Sequence, residues 1–211
     1  VEIMNQKNSL GLDYCFRDLE NPIDLFGDWF NEAKKTEIND PNALALATAD
    51  KNGIPSVRMV LLKDYNHNGF IFYTNLNSKK SSDIKDNSDA SMCFYWKSSL
   101  RQIRINGKIL KVSDKEADLY FNSRTYASKI GAWASKQSTI LKNRDELYKS
   151  IEDYKRTYPD ENSVPRPSYW SGWNLNPYEI EFWLDGENRI HQRLLYIKKE
   201  KGNWTRSLLS P

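Results

Sequence analysis

The sequence predicts a mainly β protein, an antiparallel barrel of six to eight strands with helices packed outside it. Three observations support this fold class. Short β-rich segments outnumber and flank the helical ones. Turn signals such as Asn68-Gly69 join neighbouring β-rich segments, as in antiparallel hairpins. The regular alternation of strand and helix that builds a parallel sheet does not occur along the chain.

The size and composition are those of a single domain. The chain has 211 residues, of which 39% are hydrophobic and 28% charged, enough for one sizeable core. We expect one domain over residues 21–211, preceded by a poorly defined N-terminal arm at 1–20. No apolar run approaches the roughly 20 residues of a membrane-spanning helix, and no signal peptide is evident. Cys15 and Cys93 are far apart and are expected to be free thiols, so we expect a cytoplasmic protein.

The first half of the chain predicts two helices and a group of strands. Asn21-Pro22 is typical of a helix N-cap followed by the first helical residue, and apolar residues then recur at helical spacing. The strands of this half are expected to form an antiparallel meander. The predicted helices are 22–37 and 79–86, and the predicted strands are 43–49, 56–63 and 70–75.

The second half predicts more strands and three helices. Gly107 interrupts a long strand, where a bulge or bend is expected. Ser113 and Glu116 have the spacing of a capping box and open a helix, and the proline-containing segment 159–167 is a loop. The predicted strands are 90–96, 101–112, 179–184, 189–199 and 204–208, and further helices are expected at 128–136 and 144–158.

Several classes of chemistry are excluded by the sequence. The 31 Lys and Arg against 28 Asp and Glu leave a net charge of +3, too balanced for nucleic-acid binding by charge alone. Glycine-rich dinucleotide and phosphate loops, the nucleophile elbow and the zinc-protease helix are all absent from the sequence. Of the two histidines, His67 lies in a turn and is expected in solvent, and no metal site is expected. Difficult chemistry would therefore come from a bound organic cofactor.

The segment 58–63 places a cation on each side of four apolar residues. One interpretation is an edge strand whose charged ends extend into water. The other is a strand with a buried centre whose ends hold an anionic ligand. Because Arg58 and Lys63 differ in parity, a regular strand points them to opposite faces. A shared ligand would then require a bend or a bulge.

Other polar groups strengthen the second interpretation. Tyr73-Thr74 ends a predicted strand, and Lys79-Lys80 begins a predicted helix, where backbone N–H groups and two ammonium groups could hold a phosphate. The alternative for the two lysines is a solvated helix face. Gln102 and Gln137-Ser138 offer amides suited to the polar edge of a heterocycle.

The segment 189–193 is the densest concentration of functional groups in the chain. On a strand that begins at Arg189, the side chains of Arg189, His191 and Arg193 point to one side. Three potential cations on one face repel one another unless an anion or an acidic partner lies between them. The alternative is a polar stripe that faces solvent.

Seven segments, in the same order along the chain, resemble the pyridoxamine 5'-phosphate oxidase family. The match extends from about Asn21 to Pro211, nearly the whole chain. Each segment alone is a weak signal, but seven segments in the same order and at compatible spacing are a specific one. The segments are Arg58–Lys63, Phe72–Asn75, Ser78–Lys80, Arg101-Gln102, Tyr120–Arg124, Ile130–Ser138 and Arg189–Arg193.

The resemblance implies an FMN-binding split barrel and a homodimer with FMN at the subunit interface. Within the family pattern, Arg189 and His191 are the catalytic positions. The implied FMN-binding residues are Arg58, Met59, Val60, Leu61, Leu62, Lys63, Tyr73, Thr74, Lys79, Lys80, Gln102, Gln137, Ser138, Trp183 and Arg193. The implied substrate-binding residues are Lys63, Tyr120, Arg124, Ser128, Arg189 and His191.

The implied reaction oxidises pyridoxamine or pyridoxine 5'-phosphate to pyridoxal 5'-phosphate. A hydride passes from the substrate to the flavin, and O2 then accepts the electrons and gives H2O2. Lys79 departs from the arginine usual in the family, which replaces a bidentate contact with a point charge. Two alternatives remain: another flavin-dependent oxidoreductase of the same fold, such as a flavin reductase, and a non-enzymatic module that stores or senses FMN or pyridoxal phosphate.

Overall fold

A computed structural model describes residues 7–211 of the chain, which form nine strands and five α-helices. The helices are α1 Pro22–Thr36, α2 Lys79–Asp86, α3 Asp114–Asn122, α4 Tyr126–Ala134 and α5 Arg144–Thr157. The strands are β1 Ala43–Ala49, β2 Pro55–Leu61, β3 Asp64–Asn66, β4 Gly69–Asn75, β5 Asp89–Trp96, β6 Arg101–Lys111, β7 Trp170–Leu184, β8 Gln192–Lys198 and β9 Trp204–Leu208. The predicted antiparallel, mainly β fold is confirmed, with one strand more than the expected maximum.

The nine strands form one antiparallel sheet in the order β2-β1-β5-β6-β7-β4-β3, and β8 pairs with β7 and β9. Two hairpins of the predicted meander are confirmed, β1 with β2 and β3 with β4. The predicted pairing of β2 with β4 is wrong, because the other partner of β4 is β7. The side chains explain this order. Phe70, Ile71 and Phe72 of β4 are all buried, as expected of a strand covered on both faces, whereas every second residue of β2 is exposed.

The packing of Phe26 shows that the sheet curls around a core. This α1 residue contacts Phe70 of β4, with ring centroids 4.8 Å apart, and Phe94 of β5, at 5.2 Å. Two strands separate β4 from β5 in the sheet, so a flat sheet could not bring both rings to one side chain. The N-terminal segment joins the same core through Phe16, which packs edge-on against Trp29.

Strand β7 is the central strand of the sheet and has partners along both edges. It pairs along its length with β6, and its other edge pairs first with β4 and then with β8. The sequence predicts only residues 179–184 of it, because Asn174, Asn176 and Pro177 obscure the β pattern of the first half. The predicted irregularity at Gly107 is confirmed by a register shift between β6 and β7. A side chain there would lie 2.4 Å from the carbonyl oxygen of Asn176, so glycine is required.

Helices α3, α4 and α5 enclose a second apolar cluster beside the first half of β7. Its buried members are Phe121, Ile130, Val164 and Trp170. The predicted capping box at the start of α3 is confirmed, and the α4 and α5 predictions are confirmed with small shifts of their bounds. In the described part of the chain, no helix is long and apolar enough to cross a membrane.

The predicted strand beginning at Arg189 is wrong. Residues 187–189 form a 3₁₀ turn, and β8 begins only at Gln192. Asn188 and Arg189 have φ of 55° and 65°, the left-handed region that strands do not use. The chain folds back so tightly that a Cβ on Gly186 would lie 2.0 Å from the carbonyl oxygen of Ile190. Arg189 and His191 therefore do not share a strand face with Arg193.

Candidate active site

The centre of the site is the buried ammonium group of Lys80, in the first turn of α2. Only 7% of this residue is exposed. Its Nζ donates hydrogen bonds to Thr74 Oγ1 at 3.0 Å and to Ser78 Oγ at 3.1 Å, and lies 3.4 Å from Gln137 Oε1. Burial, and then the positive charge of Arg58, lower the pKa of Lys80 to about 8. Within residues 7–211, no carboxylate pairs with this cation, so the position suits an anionic ligand.

The start of α2 adds backbone donors to this position. Ser78 is the N-cap, but its side chain makes no capping hydrogen bond. The backbone N–H of Lys79 instead donates to Ser138 Oγ at 3.2 Å, and Ser138 has a φ of 73°. A helix N-terminus next to a buried ammonium group is a favourable place for a phosphate. Five of the predicted cofactor residues (Thr74, Lys79, Lys80, Gln137 and Ser138) thus meet here.

Arg58 is held close to this cluster by a buried carboxylate. Its Nη1 donates to Thr48 Oγ1 at 2.7 Å, and its Nη2 lies 3.8 Å from Asp83 Oδ2. Asp83 also accepts hydrogen bonds from Thr48 Oγ1, at 2.8 Å, and from the Lys79 ammonium group. Burial would raise the pKa of Asp83, but the hydrogen bonds from Lys79 and Thr48 and the two positive charges hold it below its usual value. The ionised carboxylate therefore balances one charge of the Arg58, Lys79 and Lys80 cluster.

A cavity of about 330 Å³ lies next to the Lys80 cluster and shares Thr74 and Gln137 with it. Arg124 lines this cavity, and its guanidinium group stacks over Trp170 at 4.7 Å. Its Nη1 is buried with no hydrogen-bond partner among the described residues, and burial lowers the pKa of Arg124. The remaining lining residues are Tyr73, Asn75, Ser128, Gly131, Ala132 and Ser135.

Of the predicted substrate residues, Arg124 and Ser128 line this cavity, and Tyr120 lies behind its wall, against Tyr73. The ring of Tyr120 stacks on Tyr73 with centroids 4.0 Å apart, and Ser128 accepts a hydrogen bond from Thr125 near the start of α4. A half-buried guanidinium group with an unpaired Nη1 and a nearby hydroxyl is well suited to a second phosphate. The subunit thus has two adjacent positions for anions.

A third group of predicted residues lies near the C-terminal end of β7. Gln102, Trp183 and Arg193 are directly opposite one another on β6, β7 and β8. Arg193 Nε donates to Glu181 Oε1 at 2.8 Å, and the His191 ring packs against Trp183 with centroids 4.6 Å apart. Arg189 lies in the preceding turn.

These residues are too far along β7 to join the Lys80 cluster in one subunit. Thr74 pairs with Ser171, near the start of β7, whereas Trp183 is near its end. A 15-residue strand spans about 50 Å at about 3.3 Å per residue. The chain therefore carries two half-sites at opposite ends of one strand.

The segment 58–63 divides between the two faces of the sheet, as its parity predicts. Arg58 and Val60 face inwards, and Met59 and Leu61 are exposed on the outer face. Leu62 is buried. Lys63 is exposed and lines a different depression from that of Arg124.

Sequence reasoning missed three residues that shape the site. Asp83 could have been found from its i, i+4 spacing to Lys79. Glu181 and Trp170 carried no local signal, because their partners Arg193 and Arg124 are distant in sequence. They are visible only in the fold.

Comparison with known proteins identifies the family. The family model described as pyridoxamine 5'-phosphate oxidase matches residues 30–158, and that described as the pyridoxine 5'-phosphate oxidase C-terminal dimerisation region matches residues 170–211. The chain belongs to the pyridoxamine 5'-phosphate oxidase family. A relative named pyridoxine/pyridoxamine 5'-phosphate oxidase, from Pelagibacter ubique (strain HTCC1062), is 68% identical over 208 residues, covering 99% of this chain and 100% of that protein.

Solved structures confirm the split-barrel fold of the pyridoxamine 5'-phosphate oxidase family. The structure of PhzG from Burkholderia lata 383 in complex with tetrahydrophenazine-1-carboxylic acid has a TM-score of 0.87 at 29% identity, covering 94% of this chain and 96% of that one. A pyridoxamine 5'-phosphate oxidase-related, FMN binding protein from Nostoc punctiforme PCC 73102 has a TM-score of 0.73 at 17% identity, covering 92% and 99%. The predicted family and fold are thus confirmed, and the roles of single residues stay predictions.

Proposed function

We propose that this chain is an FMN-dependent oxidase that converts pyridoxamine or pyridoxine 5'-phosphate to pyridoxal 5'-phosphate, with O2 as acceptor and H2O2 as product. The observation that carries the proposal is the pair of adjacent anion positions, one at Lys80 and one at Arg124, which share Thr74 and Gln137. Cofactor and substrate each bear one phosphate in this reaction. Family membership supports the same assignment.

The residues around Lys80 fit the phosphate of FMN. A phosphate monoester carries a charge of about −2 at neutral pH, and the cluster of Arg58, Lys79 and Lys80 with Asp83 carries three positive charges and one negative charge. Thr74 and Ser138 would add hydroxyl hydrogen bonds, and the first turn of α2 its N–H groups. When bound, FMN supplies the two-electron redox chemistry that protein side chains lack.

Arg124 would anchor the substrate through its phosphate. The stacking on Trp170 fixes the guanidinium plane, and the partnerless Nη1 would gain a charge-assisted hydrogen bond. Ser128 and Tyr120 would complete this anchor. Fixing the phosphate orients the substrate ring, and orientation is the main contribution that a protein makes when a cofactor performs the redox step.

We propose that the working form is a homodimer in which each site takes residues from both subunits. The two half-sites at opposite ends of β7 support this, because a two-fold axis would bring the Lys80 end of one subunit to the Trp183 end of the other. The outer face of β2 offers apolar surface for burial, with Val57 and Met59 exposed to 68% and 65%. Arg189, His191 and Arg193 would then act on cofactor and substrate from across the interface.

We also propose that the enzyme works in the cytoplasm. Cys15 and Cys93 are free in the fold, which agrees with a reducing compartment. Burial raises the pKa of Cys15 to about 12, so this thiol is a packing group with little nucleophilic character.

Two measurements on the purified protein test the proposal. An absorbance spectrum with a flavin band, followed by stoichiometric H2O2 release on addition of pyridoxine 5'-phosphate and O2, is the expected result. Yellow protein that releases no peroxide with either phosphorylated substrate would favour the storage or sensing module. Turnover only with a nicotinamide reductant would favour a flavin reductase. Sedimentation should give twice the subunit mass, and a monomer with full activity would contradict the shared site.

A further inference from the structure

The guanidinium group of Arg58, the predicted cofactor residue on β2, is fixed by two neighbouring strands. Its Nη1 donates to Thr48 Oγ1 at 2.7 Å and to the carbonyl oxygens of Leu46 and Ser56, each at 3.1 Å. Its Nη2 donates to Ser56 Oγ at 2.6 Å. In the β1–β2 pair, Thr48 lies directly opposite Ser56. The two hydroxyl groups therefore hold the guanidinium group from both strands.

The hydroxyl of Thr48 also connects Arg58 to the buried carboxylate of Asp83. Nη2 of Arg58 lies 3.8 Å from Asp83 Oδ2, which is too far for a direct hydrogen bond. Thr48 Oγ1 donates to that same oxygen at 2.8 Å. Because arginine can only donate and an ionised carboxylate can only accept, the single hydroxyl proton of Thr48 points to Asp83 and a lone pair points to Arg58. The chain of hydrogen bonds therefore has one possible direction.

Thr48 and Asp83 are too deeply buried to bind a ligand themselves. Thr48 is 3% exposed and Asp83 is 1% exposed, whereas the side chain of Arg58 is 19% exposed. Acceptors among the described residues use Nη1 and Nη2 of Arg58, so the N–H of Nε remains for a ligand. An effect of the Thr48 hydroxyl on a ligand must therefore act through a residue that it holds.

The guanidinium group needs such a support because a second cation lies close to it. The positive charge of Arg58 contributes, after burial, to the lowered pKa of Lys80. Like charges at short range repel one another, and an untethered guanidinium group would move towards solvent. The hydrogen bonds through Thr48 hold it towards Asp83 instead, so both cations stay beside the phosphate position.

We propose that Thr48 is a positioning residue for Arg58, which it ties to Asp83 so that the guanidinium group is preset for the phosphate of the cofactor. This role rests on the proposed function, in which Arg58 binds the phosphate of FMN. A preset donor spares the ligand the entropy cost of ordering a long side chain. The gain applies only to a ligand that has a phosphate. Thr48 should therefore govern the preference for FMN over riboflavin, which has the same ring system without the phosphate.

The two flavins separate phosphate recognition from the integrity of the fold. Titration of the cofactor-free protein with each flavin, followed by fluorescence quenching, gives two dissociation constants and their ratio. We expect Thr48→Val, which keeps the shape of the residue, to weaken FMN binding about tenfold and riboflavin binding less than about twofold. Thr48→Ser, which keeps the hydroxyl, should restore most of the FMN preference. Thr205→Val is the matched control and should leave the ratio unchanged, because this exposed strand threonine donates to the carbonyl oxygen of Ile197.

A second substitution tests whether the effect acts through Arg58. In an Arg58→Met protein, Thr48→Val should change the FMN dissociation constant by less than about twofold, because the group that it positions is gone. An undiminished tenfold effect there would overturn the inference. Should Thr48→Val fail to fold, Thr48→Ala gives the same comparison without a methyl group in place of the hydroxyl. Failure of both to fold, while Thr48→Ser folds, would mean a structural role and would also overturn it.

Two further outcomes of the flavin titrations contradict the inference. One is an unchanged ratio in Thr48→Val, and the other is an equal loss of FMN and riboflavin affinity, which indicates a structural role. Failure of the proposed function looks different. An unaltered protein that binds FMN no more tightly than riboflavin refutes the cofactor-phosphate site, and the inference with it. One that prefers FMN but releases no peroxide refutes the oxidase assignment, while the Thr48 comparison still reports on Arg58.

Discussion

The ammonium group of Lys80 lies 3.0 Å from the hydroxyl of Thr74, and both side chains are buried. Thr74 is the last residue but one of β4, and Lys80 is the second residue of the helix that follows, so the contact closes the short connection between the two elements. A buried cation whose hydrogen-bond partners are all neutral is poorly stabilised unless an anion joins it. The site is therefore arranged before any ligand binds, at a cost that the phosphate of the proposed cofactor would relieve.

Lys80→Met should weaken FMN binding by roughly thirty- to a hundred-and-fifty-fold. The estimate is the value of one charge-assisted hydrogen bond, about 2 to 3 kcal/mol. Titration of the cofactor-free protein with FMN, followed by quenching of flavin fluorescence, measures the dissociation constant. Lys85→Met is the control, since this exposed lysine on the same helix donates to the carbonyl oxygen of Leu76. Equal effects of the two substitutions would rule out a special role for Lys80.

FMN affinity should fall as the pH rises from 7 to 9. The pKa of Lys80 is lowered to about 8 in the fold, by burial first and then by Arg58, so the ammonium group loses its proton in this range and the phosphate loses a counter-ion. The dissociation constant measured at half-unit pH intervals checks this, and the Lys80→Met variant should show a flatter profile. An identical pH dependence in both proteins would assign the effect to another group.

The same pKa shift affects the stability of the cofactor-free protein with the opposite sign. Between pH 8 and the usual lysine range near 10.5, the unfolded chain binds more protons at Lys80 than the folded chain. The free energy of unfolding should therefore rise with pH across this window. Urea denaturation of the cofactor-free protein at pH 8 and pH 10 measures it, and the rise should be smaller in Lys80→Met.

The sequence predicts those elements whose signals are local. The bounds of α2 and the capping box of α3 agree with the prediction, because caps and helical spacing act within a few residues. The first half of β7 and the partners of β4 could not be predicted, since they depend on pairing between segments about 100 residues apart. The left-handed conformation of Arg189 carried no warning, because arginine rarely adopts it, whereas Asn188 is of a residue type enriched in this region.

The candidate site follows the same division. The sequence indicated four residues of the Lys80 cluster because each lies in a recognisable segment: Thr74, Lys79, Lys80 and Ser138. The fold brings these residues together. Thr74 pairs with Ser171 near the start of β7, whereas Trp183 lies near the end of that strand. This large separation could not be foreseen. It depends on the length of one strand, which the polar residues in its first half conceal.

Arg124→Ala should raise KM for pyridoxine 5'-phosphate by more than about tenfold, while FMN affinity changes little. The loss of a guanidinium–phosphate contact accounts for the change. Steady-state peroxide release at varied substrate concentration measures it. Arg144→Ala is the control, because this exposed arginine also stacks on an aromatic ring, that of Tyr148, but on α5. An unchanged KM in Arg124→Ala would remove Arg124 from the substrate site.

Arg189→Ala should lower turnover by about a hundredfold or more and leave FMN occupancy nearly unchanged. Arg189 lies in the tight turn before β8 and outside the Lys80 cluster, so its loss should affect the reacting substrate rather than the cofactor phosphate. The flavin-to-protein absorbance ratio and kcat, measured on one preparation, separate the two effects. Equal losses of both would refute a catalytic role.

Gly172→Ala should destabilise the protein through Tyr73. A Cβ at this position would lie 2.7 Å and 2.8 Å from two ring carbons of Tyr73 and 2.9 Å from Val112 Cγ2. Because Tyr73 also stacks on Tyr120, the ring has little room to move, and the overpacking should lower the free energy of unfolding by about 1 to 3 kcal/mol. Urea denaturation measures this change.

Gly131→Ala provides the matched comparison for this prediction. Gly131 lies within α4, and a Cβ there would meet nothing within 4 Å, so alanine should raise the free energy of unfolding by roughly 0.5 to 1 kcal/mol. The two substitutions add the same methyl group and should change stability in opposite directions. If Gly172→Ala were neutral as well, the Tyr73 ring would have to be free to shift, and its stack with Tyr120 could not be a fixed wall of the substrate cavity.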